Sequence, residues 1–243
     1  MIPHTLSGLS FVERFYSYPE LESTNAIAKV IKKKPAKTFF VIQADRQNTG
    51  RESGDQSIHS DNNNLLWVSI VTTVDTNNTA VFYNRALAMA IHTSLSNLAP
   101  GKKISIKWPN QIYCNDRKIG GINPESHTIF SDVIVLGFWL NVNADPDEFP
   151  ENLEATETSL FVETGVRQSL SILLRSIIVL YHQNTLAEHN ELNRYYSDIL
   201  YKKGSFVKIA GMNGVFDGVD SDGRFCLLKE GKRILLSAGS PVF

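Results

Sequence analysis

Residues 45–64 form a long run that is polar, glycine-containing and nearly devoid of apolar side chains, yet it lies between two of the most apolar stretches of the chain. On one side stands TFFVIQA (38–44) and on the other LLWVSIVTT (65–73), both rich in β-branched and aromatic residues and both read as buried strands. A structureless connection of this length inside a compact domain is generally a functional lid or a disordered segment. The second strand is therefore expected to resume the sheet that the first one left.

Around these runs the periodicity changes from two to 3.6. Ser23 or Thr24 can cap a helix carrying Ala26, Ile27, Val30 and Ile31 on one face, with Pro35 ending it. Residues 11–18 read as a short entry segment before that helix. Thr79 can cap a second helix, in which Leu87, Ile91, Leu95 and Leu98 make one apolar stripe before Pro100 and Gly101 stop it. Residues 104–108 and 111–114 are short strand-like runs. Asn115-Asp116 is a turn signal leading into Arg117, Lys118 and the Gly120-Gly121 pair. Residues 133–142 make a further long strand, and 167–180 and 186–200 return to helix, with Leu170, Leu173, Leu174, Ile177 and Ile178 as the inner face of the first.

The pattern changes again near Lys202-Lys203-Gly204. Beyond it, Asn213-Gly214, Asp222-Gly223 and Glu230-Gly231 punctuate short strands as tight-turn dipeptides. This divides the chain into residues 1–202, an α+β domain with helices around a mixed sheet, and residues 203–243, a small all-β domain. A barrel of about 40 residues is marginal alone and is expected to dock on the larger domain.

With 243 residues, 42% of them hydrophobic, the chain can bury one sizeable core. Lys plus Arg (24) nearly balance Asp plus Glu (25), so no global basic field draws it to nucleic acid or an anionic membrane. A small molecule or a protein is the expected substrate. Cys114 and Cys226 lack the spacing of a zinc or redox motif and read as buried or reduced thiols. The N-terminus shows no basic region followed by an apolar run, and no apolar segment approaches the roughly 20 residues that cross a bilayer, so a cytoplasmic location is expected.

Four segments could carry chemistry, and each has a plainer explanation. Ser23-Thr24-Asn25 is a helix cap, or a helix start whose donors receive a carbonyl or an anion. Gln47, with Gly50 and Arg51 in the polar loop, is part of a solvated turn, or a place where backbone donors and a guanidinium meet a carboxylate or phosphate. Lys107-Trp108-Pro109-Asn110 is a strand end with a core tryptophan, or a nucleotide-holding terminus. Lys118 beside two glycines is a surface lysine after a turn, or a fixed cation where backbone must approach a ligand closely.

In order and spacing these segments resemble the biotin protein ligases, whose pattern runs from ESTN through a QxxGRGRRG loop to KWPND and RKxxGI. The chain reads ESTN, QNTGRESG, KWPNQ and RKIGGI; further on, VIVLGFWLNVN resembles the family's GxGxNVN strand, and Thr158-Ser159-Leu160 its TSL segment. The resemblance implies a class II synthetase-like catalytic domain followed by an SH3-like barrel. It also implies a two-step reaction in which ATP, with Mg2+, activates biotin to biotinyl-5'-AMP, and a lysine of a biotin carboxyl carrier protein domain of a carboxylase then takes the acyl group. Lys118 is the implied catalytic cation. Ser23, Thr24, Asn25, Gln47, Gly50, Arg51 and Gly121 are implied on the biotin side, and Lys107, Trp108, Asn110 and Asn141 on the nucleotide side. No protein metal ligand is implied. Ser23 stands so near the start that no N-terminal winged helix, and hence no DNA partner, is expected; monomer and homodimer both stay open.

The departures concentrate around the loop. GRESGD replaces GRGRRG, with Glu52 and Ser53 where a second arginine is expected, and the loss of such a charge-assisted hydrogen bond is worth roughly 1.5–3 kcal/mol. Ser57 or Ile58 stands where the family has a tryptophan that packs on adenosine, Gln111 replaces the Asp of KWPND, and Trp139 replaces the second glycine of GxGxNVN. Two other readings follow: a catalytically impaired paralogue that holds biotin or its adenylate in a regulatory role, and a lipoate-type ligase.

Overall fold

A computed structural model describes residues 5–31, 39–48, 64–75, 78–149, 153 and 155–243. Pro35 and the loop residues Gly50, Arg51, Glu52, Ser53, Ser57 and Ile58 lie outside the described residues. The strands are β1 (Arg14–Leu21), β2 (Phe39–Gln47), β3 (Leu65–Thr73), β4 (Ile104–Lys107), β5 (Gln111–Cys114), β6 (Arg117–Ser126), β7 (Val133–Asn141), β8 (Phe206–Ile209), β9 (Met212–Val219), β10 (Phe225–Lys229) and β11 (Lys232–Leu236). The helices are α1 (Thr24–Lys29), α2 (Ala80–Leu98), α3 (Leu160–Thr164), α4 (Leu170–Asn184) and α5 (His189–Asp198).

The two apolar runs flanking the polar loop pair antiparallel as β2 and β3, with Ala44 opposite Trp67. They belong to a mixed sheet of order β1-β2-β3-β7-β6-β5-β4. Side chains alternate across a strand, so each strand presents one set to each face. The first set, including Val41, Leu66, Val68, Ile70, Phe138 and Leu140, packs under Leu87, Ile91 and Leu95 of α2 and Leu173, Leu174 and Ile177 of α4. This is the main core. Truncating a fully buried Leu87 or Leu95 to alanine would cost about 2–5 kcal/mol.

The opposite face is built differently. Ala44, Trp67, Trp139, Gly121 and Gln111 form one row across it, and Ile42, Ser69, Gly137 and Asn123 form the next. Ala28 of α1 closes a small apolar cluster with Phe40, Ile42, Val71, Val133 and Val135, and a second cluster gathers Ala44, Leu65, Trp67, Ala144 and Phe149. Polar side chains of this face stand beside these clusters, among them Ser69 of β3, Asn123 of β6 and Gln111 of β5.

Several expectations are corrected. Ser23 does cap α1, accepting from the Ala26 N–H at 3.4 Å, but the helix ends at Lys29 and buries Thr24, Asn25 and Ala28. Val30, expected on the inner face, is 56% exposed, because Asn25 is hydrogen-bonded to the sheet and turns the helix by that contact. The segment read as an entry is a strand, β1, parallel to β2. It hides its period because it is an edge strand that carries Pro19, tolerated only where an N–H is not needed. Asn213-Gly214 lies inside β9. The turn before it is Ala210-Gly211, with φ of 48° and 76°, the two-residue loop that matches strand twist. Gly214 instead admits β10, since a Cβ there would meet the Leu228 carbonyl at 2.6 Å.

β8 to β11 form an antiparallel sheet of order β11-β10-β9-β8, as an SH3-like domain requires. Its apolar residues Val207, Phe216, Phe225 and Leu227 join the main core, and two side chains of the larger domain add polar contacts. The Trp108 indole N–H donates to the Gly223 carbonyl at 2.8 Å and its ring meets Phe225 edge-on at 5.3 Å. Arg85 of α2 donates to the Asp220 carbonyl and to Asn193 of α5. Among the described residues no helix is long and apolar enough to cross a membrane. Cys114 and Cys226 are both buried free thiols, and burial pushes the Cys114 thiol up to about 12.

Candidate functional site

The site is built on the polar half of the second sheet face. At one end lies the start of α1. Gln47, the last residue of β2, accepts from the Thr24 backbone N–H at 2.8 Å and from the Thr24 hydroxyl at 3.1 Å. The strand end and the helix start are thereby joined, and Ser23, Thr24 and Gln47 share one corner.

Asn25 fixes the helix over the sheet. Its amide donates to the Asn123 carbonyl at 3.1 Å and to Glu125 at 2.7 Å, and its carbonyl oxygen accepts from the buried Ser69 hydroxyl at 2.6 Å. Both amide hydrogens are engaged within the protein. Asn25 thereby ties the helix start that carries Ser23 and Thr24 to β3 and β6.

At the other end stands Lys118. Strict alternation along β6 would turn it to the same side as Ile122, into the apolar core. A register shift intervenes: Gln111 pairs with Gly121 and Ile112 with Gly120, but Tyr113 pairs with Lys118, leaving Ile119 as the extra residue. Such a bulge re-aims the side chains beyond it. Ile119 enters the core and Lys118 joins the face of Gly121 and Gln111.

The ammonium is deeply set, with Lys118 only 7% exposed. Its backbone pairs with the segment before α3: Lys118 N–H donates to the Thr156 carbonyl and Thr158 N–H to the Lys118 carbonyl, each at 2.8 Å. That pairing brings the buried Glu157 carboxyl to 3.9 Å from Nζ. The Trp139 ring lies beneath the ammonium, 4.9 Å from its centroid. Burial pushes the lysine down to about 8, with Glu157 pulling in the opposite direction. Burial likewise pushes Glu157 up, against Lys118 and Asn141. A buried cation of this kind suits a site that receives anions.

The residues expected on the nucleotide side separate into two groups. Asn141 of β7 is buried near Glu157; its amide donates to the Thr158 carbonyl at 3.1 Å, while its own carbonyl oxygen is buried without a hydrogen-bond partner. Lys107, at the end of β4, reaches the Tyr113 hydroxyl at 3.4 Å and lies 5.3 Å from that ring. Its pKa is lowered by burial and then by Lys202. Asn110 closes the β4–β5 turn, where its carbonyl accepts from Ile122. Trp108 is buried against Phe225 and its indole N–H is already engaged with the Gly223 carbonyl.

A family model, the Biotin/lipoate A/B protein ligase family, matches residues 18–141, which run from β1 through the helix start, the loop, β4, β5 and β6 to the end of β7. The chain belongs to the biotin/lipoate A/B protein ligase family. It is 27% identical over 165 residues to the bifunctional ligase/repressor BirA of Bacillus subtilis, covering 67% of this chain and 51% of that protein. It is 29% identical over 169 residues to the biotin–[acetyl-CoA-carboxylase] ligase of Mycobacterium tuberculosis, covering 65% and 60%. The chain thus spans about half the length of the Bacillus relative. Its fold is that of the biotin protein ligase from Aquifex aeolicus solved in complex with biotin and ATP, with a TM-score of 0.79 at 20% identity, covering 95% of this chain and 98% of that one.

Sequence reading missed several residues that the fold brings to the surroundings of Lys118. Glu157 sits 39 positions away in a short polar segment, and only its neighbours Thr158-Ser159-Leu160 carried a signal. Tyr113 and Trp67 read as ordinary strand residues; the pairing of β5 with β6 and of β3 with β7 brings them to the face that carries Lys118 and Trp139. Glu163, which accepts from Arg117 at 2.6 Å and Thr158 at 2.9 Å, ties both flanks of the Lys118 pairing together.

Proposed function

We propose that this chain activates biotin with ATP to biotinyl-5'-AMP and transfers the acyl group to a lysine of a biotin carboxyl carrier protein domain. The observation that carries this reading is the bulge that places a buried, desolvated lysine on the same sheet face as Gly121 and the helix start at Thr24. Two anions have to meet for the first step, and a fixed cation between them stabilises the charge of the transition state.

In that step a carboxylate oxygen of biotin attacks the α-phosphorus of ATP and the bond to pyrophosphate breaks. Lys118 holds both the incoming carboxylate and the phosphoryl oxygen. Ser23, Thr24 and Gln47, with Gly50 and Arg51 of the loop, hold the ring end, Gly121 lines the tail, and Asn25 positions the helix start. In the second step the amine of the carrier lysine attacks the acyl carbon and AMP leaves. Lys107, Asn110 and Asn141 serve the nucleotide, with Trp108 behind them.

Magnesium would enter with the triphosphate. Among the described residues no group of three His, Cys, Asp or Glu stands together. An ion of this kind keeps several waters and is held mainly by substrate phosphates.

The test is a labelling assay with purified protein, ATP, magnesium, labelled biotin and a carrier domain. The native chain should label the carrier slowly but measurably, and Lys118→Ala should not. Equal labelling by both would remove Lys118 from this role.

A further inference from the structure

We propose that Trp139 sets the length of the acid that this site activates. The inference rests on the reading of the site as one that adenylates a carboxylic acid, and it concerns a position where the ligase pattern has glycine.

The two ends of the site lie on different strands. Thr24 and Gln47 mark β2, Lys118 lies on β6, and β3 and β7 run between them. Three inter-strand spacings amount to about 14 Å, so a ligand that reaches both ends has to cross β3 and β7. What it crosses is aromatic. Trp67 and Trp139 are direct partners across those two strands, with ring centroids 6.1 Å apart and planes at 35°. A polar head and a carboxylate joined by a saturated tail match such a surface, because the tail lies on apolar rings while each end meets polar groups.

Trp139 does more than floor the path. It is half-buried, it stands opposite Gly121, which has no side chain, and its ring lies against the Lys118 ammonium. The indole therefore occupies the approach to Lys118 from the β3 side. A glycine would let a tail settle onto the β7 backbone and fold up any surplus methylene. With an indole there, the tail has to pass over the ring, and additional length has no place beside the cation. Trp139 thus selects against acids longer than the span.

The experiment uses ATP–pyrophosphate exchange with three acids: biotin, its analogue with a tail one methylene shorter, and its analogue one methylene longer. The native chain, Trp139→Gly and Trp139→Phe are compared after circular dichroism shows that each is folded. In the native chain kcat/KM for the longer acid should fall below that for biotin by about tenfold or more, the usual worth of one methylene in a fitted pocket. Trp139→Gly should remove most of that preference through a lower KM for the longer acid, and Trp139→Phe should keep part of it. The same preference in the native chain and in Trp139→Gly would overturn the inference while leaving the acid-activating reading intact. Exchange with none of the three acids by the native chain would overturn both.

Discussion

The missing side chain of Gly137 leaves the space in which the amide of Asn25 sits: a Cβ at residue 137 would fall under 3.0 Å from the atoms of that amide. Asn25 fastens α1 to β3 and β6, beside the Lys29–Glu125 ion pair, so Gly137 in the middle of β7 sets how deeply the helix start is seated. Gly137→Ala is expected to lift α1, lower stability by about 1–3 kcal/mol and raise KM for biotin more than it lowers kcat. Thermal unfolding and exchange kinetics check this. Asn25→Ser in the same background should recover part of the stability, since a shorter side chain makes room for the methyl group.

Arg85 and Trp108 supply polar contacts that help to position the small β sheet on the larger domain. Trp108→Phe keeps the ring against Phe225 but removes the bond to the Gly223 carbonyl, and should cost about 1 kcal/mol. Arg85→Met should cost more, about 2–3 kcal/mol, because Arg85 is only 4% exposed and its loss leaves Asp220 and Asn193 oxygens without their donor. Urea unfolding of the two single variants and the double variant would show non-additive losses, as expected for two contacts on one loop.

Glu163 offers a test of the scaffold beneath Lys118. Burial pushes its carboxyl up, but hydrogen bonds from Thr158, Lys102 and Arg117 outweigh that and hold it below the usual range. A carboxylate with a depressed folded pKa contributes stability above its unfolded value and loses it as pH falls through the folded one. Glu163→Gln should therefore cost about 1–2 kcal/mol near neutrality, allowing for solvent screening of the half-exposed partners. The gap to the native chain should close as pH drops below 4.5, the ordinary value for this group. A gap independent of pH would contradict the assignment.

How much of this was legible in the sequence follows from the physics of each element. β3 appears at the residues read from its β-branched run, and α2 starts and ends at its cap and its Pro-Gly stop, because local propensity and burial agree there. β1 was not legible, since an edge strand buries too little to show a period. The inner face of α1 was misread because the residue that binds the sheet is polar, and an apolar pattern cannot report a hydrogen-bonded asparagine. At the site, the types and order of Ser23, Thr24, Gln47, Lys118 and Gly121 were readable as motifs. Their common face was not: a period of two sends Lys118 into the core, and only the bulge at Ile119 brings it out. Glu157 was invisible for a different reason, since its pairing to Lys118 is a backbone contact between segments distant in the chain.

The depressed pKa of Lys118 gives opposite pH trends for activity and stability. The ammonium is protonated in the free protein below about 8 and loses its proton above it, so kcat/KM for adenylation should decline as pH rises through that value. Because the folded pKa lies below the ordinary 10.5, the unfolded chain binds more protons between about 8 and 10.5, and stability should rise with pH across that window. Stopped-time exchange assays and urea titrations across this range check both. A loss of activity accompanied by a loss of stability would point to unfolding instead.

The most direct test of the central claim is biotin-dependent ATP–pyrophosphate exchange with the native chain and Lys118→Ala, since exchange reports the first step without a carrier. Exchange by the native chain and its loss by a hundredfold or more in the folded variant, about 2.7 kcal/mol or more of transition-state stabilisation, is the expected result. Undiminished exchange by Lys118→Ala would contradict the account.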